Sequence, residues 1–109
     1  MHIRSQSQET AMFIAPFERI VITLAGVAEE VNLQVAHDGN ARDCGQILFF
    51  PAGKFDAVLV IEYEVHRTRV TTFARGPRLS PVARSFPIEE AQTHVDTLAE
   101  LIVQASRPL

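Results

Sequence analysis

The C-terminal segment limits the fold of this chain more than any other part of it. Between Ile88 and Ala105 apolar side chains recur with the period of a helix, and they fall on one side of it. Acidic and other polar side chains fall on the opposite side. Pro87 is tolerated near the first turn, where its missing amide hydrogen would be unpaired anyway, and Pro108 ends the pattern. We therefore predict a C-terminal amphipathic helix with one buried face.

The patterns in the preceding part of the chain mostly predict β-strands. Apolar and polar residues alternate over 31–36, as in a half-buried strand, and Ile20, Ile22 and Leu24 recur with the same period of two. The strongest strand pattern covers 55–65. Its second face is apolar in the middle and charged at its ends, as in a central strand that is buried on both sides over its middle. A helical turn over 27–31 is an alternative, because Ala28-Glu29-Glu30 favours helix. Shorter β-rich runs cover 45–50, 68–74 and 82–86, and a weaker one at 12–17 is broken by Pro16. Near His66 no glycine, asparagine or proline marks a turn, so a hairpin and a single bent strand both remain open.

These patterns predict an α+β fold: a five- or six-stranded, mostly antiparallel sheet with one C-terminal amphipathic helix packed on one face. An eighteen-residue helix is about 27 Å long and an eight-residue strand about 26 Å, so one helix can cover one face. The alternative is a small half-open barrel capped by the same helix. We predict a flexible N-terminal tail over residues 1–10 and a single α+β domain over 11–109, since 109 residues suit one domain.

Composition excludes several classes of protein. A single cysteine rules out a disulfide within the chain, and no apolar run is long enough to cross a bilayer. We therefore expect a small soluble protein in a reducing, cytoplasmic compartment, with no membrane contact. The four histidines lack metal-ligand spacing, and the chain carries neither a phosphate-binding loop nor a dinucleotide fingerprint. We expect no metal and no cofactor.

The charge distribution gives a first candidate site. Five arginines and no acid lie between Val65 and Ile88, and they form a predicted anion- or partner-binding set: Arg67, Arg69, Arg75, Arg78 and Arg84. On one extended strand Arg67, Arg69 and Arg75 would share a face with Phe73, an arrangement that can hold phosphate and stack on bases. Ordinary pairing with Glu62, Glu64 or the helix acids is the competing interpretation. The net charge of −3 argues against nucleic acid without excluding it.

Two further sites can be named. Cys44 with His37 as its base is a candidate catalytic pair, although a turn that carries a free thiol explains the same residues. Phe49, Tyr63, Phe73 and Phe86 are candidate lining for an apolar pocket between sheet and helix, although core packing explains them equally well.

The sequence does not determine a function. A non-enzymatic binding or adaptor domain with a protein or small-molecule partner is favoured, because no catalytic set is recognisable. The alternatives are an anion or nucleic-acid binder that uses residues 66–84 and an enzyme that uses His37 and Cys44. We also expect a homodimer, because Val58 and Val60 on the second sheet face, with the row at Val21 and Thr23, would be exposed in a monomer.

Overall fold

A computed structural model describes residues 20–38 and 44–107 of the chain. Within these residues two α-helices and five strands form. Helix α1 covers residues 20–30. It is followed by β1 (Leu33–Asp38), β2 (Cys44–Pro51), β3 (Leu59–His66), β4 (Arg69–Gly76), β5 (Leu79–Pro87), a single 3-10 turn (Ile88–Glu90) and helix α2 (Ala91–Ser106). The predicted tail over 1–10 and the run at 12–17 lie outside the described residues.

The five strands form one antiparallel sheet in the order β1-β2-β3-β4-β5, so each strand pairs with its neighbour in sequence. Because β1 and β5 lie at opposite edges, the described sheet is open and the barrel alternative is wrong. The connection between β3 and β4 is a tight hairpin, with Arg67 at a φ of 58° and His66 opposite Arg69. The bent-strand alternative is therefore also wrong. The α+β fold with an antiparallel sheet is confirmed.

Helix α2 has the predicted amphipathic character. Its buried residues follow the helical period: Ala91, Val95, Leu98, Ile102 and Ala105. Gln92, Asp96 and Glu100 are exposed on the other side. The amide of Ile88 donates a hydrogen bond of 2.7 Å to the carbonyl oxygen of Thr68, which joins the start of the helical segment to the β3–β4 hairpin. The helix is thereby placed across the sheet.

Residues 20–24 are helical, and the strand predicted there is wrong. Ile20, Leu24 and Ala28 are buried, and their spacing of four residues is that of one helix face, whereas Ile22 is 71% exposed. A strand would have placed Ile22 on the same side as Ile20. Ile20 and Leu24 are four residues apart, so they share a side in either a strand or a helix. Only the continuation of this spacing to Ala28 distinguishes the helix from the strand. The helix ends at Glu30, and Asn32 follows in the left-handed conformation that is common after a helix, with a φ of 61°.

The core lies between the two helices and one side of the sheet, which we name the covered face. Its sheet residues are Leu33, Ile47, Phe49, Leu59, Ile61, Tyr63, Val70, Thr72, Ala74 and Phe86. The opposite side, which we name the open face, has neither helix packed on it. On β4 the two sides alternate strictly: Val70, Thr72 and Ala74 are buried, while Arg69, Thr71, Phe73 and Arg75 are exposed.

The exposed row expected on the second sheet face needs correction. Val60 is only 8% exposed within the single chain, because Leu48 and Arg75 flank it in register on either side. Val58 and Val21 pack partly against the core. Thr23 is exposed, but on α1 rather than on a strand. A dimer through the open face would therefore have to be held together by other residues of that face.

Candidate functional site

The open face is a sheet surface on which neither of the two described helices packs. It consists of the side chains that the register places opposite the helices: Gln34, Ala36, Asp38, Cys44, Gln46, Leu48, Phe50, Val60, Glu62, Glu64, His66, Arg69, Thr71, Phe73, Arg75, Ala83, Ser85 and Pro87. Directly paired residues of an antiparallel sheet share a face, so these side chains form adjacent columns. Phe73, at 37% exposure, is the large apolar residue most open to solvent among them.

Charge is divided between neighbouring strands of this face. Glu62 and Glu64 lie on β3, and Arg69 and Arg75 lie beside them on β4. Arg75 Nη2 is 3.2 Å from Glu62 Oε1, with both side chains about half exposed. A pair this exposed contributes about 0–1 kcal/mol to stability. Arg69 Nε donates to Ser85 Oγ at 3.3 Å. The column of acids beside a column of arginines is the dominant electrostatic feature of the face.

A depression of about 420 Å³ opens on this face, at the end of the sheet where β1 and β3 end and β2 and β4 begin. Asp38, Glu62 and Glu64 supply its negative charge. The rest of its lining is polar or aromatic: Cys44, Gly45, Gln46, Tyr63, Thr71 and Phe73. Gln46 Nε2 donates to Asp38 Oδ2 at 3.4 Å. Its volume is at the small end of the range for ligand pockets and suits one side chain or a small molecule.

Tyr63 is among the residues around this depression, although its side chain belongs to the covered face. Its ring is buried on the covered face, and its hydroxyl lies 2.5 Å from Nε2 of His37 on the edge strand β1. The ring reaches across β2 over Gly45, its register partner, where an added Cβ would lie 2.6 Å from the hydroxyl oxygen. Burial, and secondarily the charge of a Cys44 thiolate, raise the pKa of Tyr63. At neutral pH it is therefore a neutral hydrogen-bonding group.

The predicted catalytic pair is not assembled as a pair. His37 is hydrogen-bonded to Tyr63, and Cys44 lies at the exposed start of β2 opposite Glu64. Among the described residues no hydrogen bond involves the thiol of Cys44. Arg42 and Asp43, which could have supplied charge or orientation, lie outside the described residues. The enzyme alternative thus gains no geometric support from the part of the chain that is described.

The five predicted anion-binding arginines occupy different regions. Arg69 and Arg75 lie on the open face. Arg84 is the register partner of Thr72 and therefore belongs to the covered face. Arg67 lies in the β3–β4 turn, so the expectation that it shares a strand face with Arg69 is wrong. Arg78 lies in the β4–β5 turn and donates through Nη1 to the carbonyl oxygen of Arg107 at 2.9 Å. Two of the five therefore share one surface.

The predicted aromatic lining also divides. Phe49 is fully buried, and Phe86, 2% exposed, stacks on His94 with 4.3 Å between ring centroids, so both pack in the core. Tyr63 and Phe73 line the depression, but from opposite faces of the sheet. A second depression of about 750 Å³ lies beside α2, where Val27 of α1, Ala99 and Val103 form its apolar lining. Asp96, Glu100, Gln104 and Arg107 complete it.

The sequence interpretation missed the convergence of Asp38 with Glu62 and Glu64, and the contact between Tyr63 and His37. Alternation in β3 indicates that Glu62 and Glu64 share a face. Placing Asp38 beside them requires the register of β1 on β2, which the sequence does not specify. Gly45, within an apolar run, was the available signal for a close approach.

No described helix is long and apolar enough to span a membrane, and no three potential metal ligands cluster among the described residues. No protein-family model, curated protein or solved structure matches this chain. The described residues define a two-layer α+β protein in which two helices cover one face of the sheet.

Proposed function

We propose that this protein is a non-enzymatic binding domain that forms a homodimer in the cytoplasm and binds through its open face. The observation that carries this proposal is the one-sided placement of the helices. Residues of both described helices are buried in the core on the covered face, while no helix within residues 20–38 and 44–107 packs on the open face of the five-stranded sheet. The chain has a single cysteine, Cys44, which is exposed and forms no disulfide, as is usual in a reducing compartment.

The composition of the open face supports binding. An antiparallel sheet can face water on one side, and polar side chains then alternate with the buried ones. Here Phe73 lies among the charged side chains, with Leu48 and Ala36 further along the face. Aromatic residues and arginine are enriched in protein interfaces. The broad surface favours a protein partner, and the depression beside Phe73 offers room for one inserted side chain.

The other two functions have less support. Anion or nucleic-acid binding requires several arginines on one surface, and Arg69 and Arg75 share theirs with Glu62 and Glu64. Catalysis requires a base near Cys44, and His37 is engaged by Tyr63. Neither alternative has an observation of its own in its favour.

Thiol labelling tests this proposal directly. Cys44 is the one cysteine of the chain and lies exposed on the open face. If a second copy covers that face, the rate constant for reaction with a bulky maleimide will fall as the protein concentration rises. The matched control is Gln92→Cys in a Cys44→Ser background, because Gln92 is exposed on the outer side of α2. A Cys44 rate constant that stays the same over the accessible concentration range would contradict a dimer through this face.

A further inference from the structure

The open face is complementary in charge to itself. Adjacent columns carry opposite charges, with Glu62 and Glu64 on β3 and Arg69 and Arg75 on β4. Glu64 is the register partner of Thr71, two residues from Arg69 along β4. An isologous interface brings the same patch of both copies together, so a patch that contains both signs in neighbouring columns can satisfy itself.

Resting on the proposed binding function, we propose that the occupant of the open face is a second copy of this chain, packed face to face about a two-fold axis that runs parallel to the strands between β3 and β4. This axis places β3 of each copy over β4 of the other. Glu64 then lies over Thr71 of the second copy, within reach of Arg69 about 7 Å away along the strand. Glu62 likewise lies over Phe73 of the second copy, within reach of that copy's Arg75 two residues along the strand.

Charge decides between this axis and the other in-plane choice. A two-fold axis perpendicular to the strands would place β3 over β3 and β4 over β4. The glutamates of one copy would then face glutamates, and the arginines would face arginines, which is unfavourable in an interface. The axis parallel to the strands replaces these repulsions with attractions and corresponds to the aligned packing of two sheets.

The intrachain contacts indicate which pair the dimer would add. Arg75 already pairs with Glu62 in the same chain, whereas Glu64 has no ion-pair partner among the described residues. Arg69 donates through Nε to Ser85 Oγ at 3.3 Å, and within 20–38 and 44–107 no side-chain contact involves its two terminal guanidinium nitrogens. Glu64 with Arg69 of the second copy is therefore the most informative pair to test.

The available area is sufficient for a dimer. Strands β2, β3 and β4 have eight residues each in a five-stranded sheet. At about 3.4 Å per residue and about 4.8 Å between strands, one face measures roughly 650 Å². Two faces together bury about 1,300 Å², which lies within the range of specific interfaces. The outer edge at β5 contains Pro81 and Pro87, which hinder pairing of that edge with another strand.

Charge reversal with mixing tests the arrangement. Glu64→Arg alone sets arginine against arginine twice in a homodimer, and Arg69→Glu alone sets glutamate against glutamate twice. We expect each variant to dimerise at least about tenfold more weakly than the parent protein in sedimentation velocity. An equimolar mixture restores both attractive pairs and should recover the parental affinity as a heterodimer. A salt bridge within one chain could not be restored by mixing.

Each variant has a matched control. Arg84→Glu makes the same charge reversal as Arg69→Glu, but on the covered face of β5, and Glu89→Arg makes the same reversal as Glu64→Arg at an exposed acid beside α2. Both should dimerise like the parent. Far-UV circular dichroism checks each fold, and if a single variant does not fold, the double variant Glu64→Arg/Arg69→Glu replaces it and should dimerise normally.

A dimeric parent whose mixed or double variants recover nothing would overturn this axis and leave the homodimer standing. A parent that stays monomeric at high micromolar concentration would overturn both the axis and the homodimer. A dimer insensitive to either reversal would point to pairing at the β1 edge or between helices, and would also overturn the proposed arrangement.

Discussion

The two faces of the sheet are built from the same strands but follow different rules. On the covered face the apolar residues of β2–β4 are almost completely buried, and their identity is dictated by packing against α1 and α2. On the open face the same strands carry Glu62, Glu64, Arg69 and Arg75 around Phe73. Burial explains the first pattern within one chain, whereas burial does not explain the ordered charge of the second, which we propose serves a partner.

The largest expected contrast separates Phe49 from Phe73. Phe49 is fully buried, so Phe49→Ala removes buried area and leaves a cavity, and we expect a loss of about 3–5 kcal/mol in the free energy of unfolding. Phe73 is partly exposed on the open face, and Phe73→Ala should cost less than about 1 kcal/mol in stability. Urea unfolding at low protein concentration measures both.

The same two variants should rank in reverse when self-association is measured. Phe73→Ala is expected to weaken the dimer by about tenfold, because aromatic anchors dominate interface energies. If Phe73→Ala destabilised the monomer as much as Phe49→Ala does, the distinction between a structural face and a binding face would be lost.

The sequence predicted this contrast only in part. The alternation in β4 correctly places Arg69, Phe73 and Arg75 together, and the spacing in α2 correctly predicts its buried face. Both patterns are local, and each extends over enough residues to fix its period. The run at 20–24 is too short to separate a strand from a helix, so the strand predicted there is wrong and the residues belong to α1.

Contacts between distant strands were beyond local patterns. The approach of Tyr63 to His37 spans 26 residues and depends on the pairing of β1 with β2 and of β2 with β3. The turn at Arg67 has a positive φ without the glycine or asparagine that normally signals it, so the sequence could not distinguish a hairpin from a bend. The candidate site on the open face is assembled by this register.

A medium effect is expected at Gly45, which lies beside Tyr63 on the covered face. An added Cβ would lie 2.6 Å from the hydroxyl oxygen of Tyr63 and 3.0 Å from the carbonyl oxygen of Asp38. Gly45→Ala should therefore destabilise the protein by about 1–3 kcal/mol, because the ring or the backbone has to move. The measurement is equilibrium unfolding of the single variants and of Gly45→Ala combined with Tyr63→Phe.

Gly26→Ala is the matched control for that substitution. Gly26 lies within α1 and has open space around it, so alanine there should stabilise the protein by up to about 1 kcal/mol. In the double variant, loss of the Tyr63 hydroxyl removes the closest clash, and the combined cost should be smaller than the sum of the single costs. Strict additivity would mean that Tyr63 does not approach Gly45 as the structure shows.

The smallest expected effect concerns Tyr63 itself and its dependence on pH. Loss of the hydrogen bond to His37 in Tyr63→Phe should cost about 0.5–1.5 kcal/mol near neutral pH. The pKa of Tyr63 is raised in the folded state by burial and by Cys44, above its ordinary value of 10.0. Its contribution to stability is therefore fully present below pH 10.0 and is lost as pH rises through the folded pKa. The parent should lose stability above that pH more steeply than Tyr63→Phe, so the difference between them should narrow in alkaline urea titrations. A difference that widens with rising pH would mean that the phenolate is the form that the fold stabilises, and Tyr63 would then belong to the solvent-accessible depression rather than to the covered face.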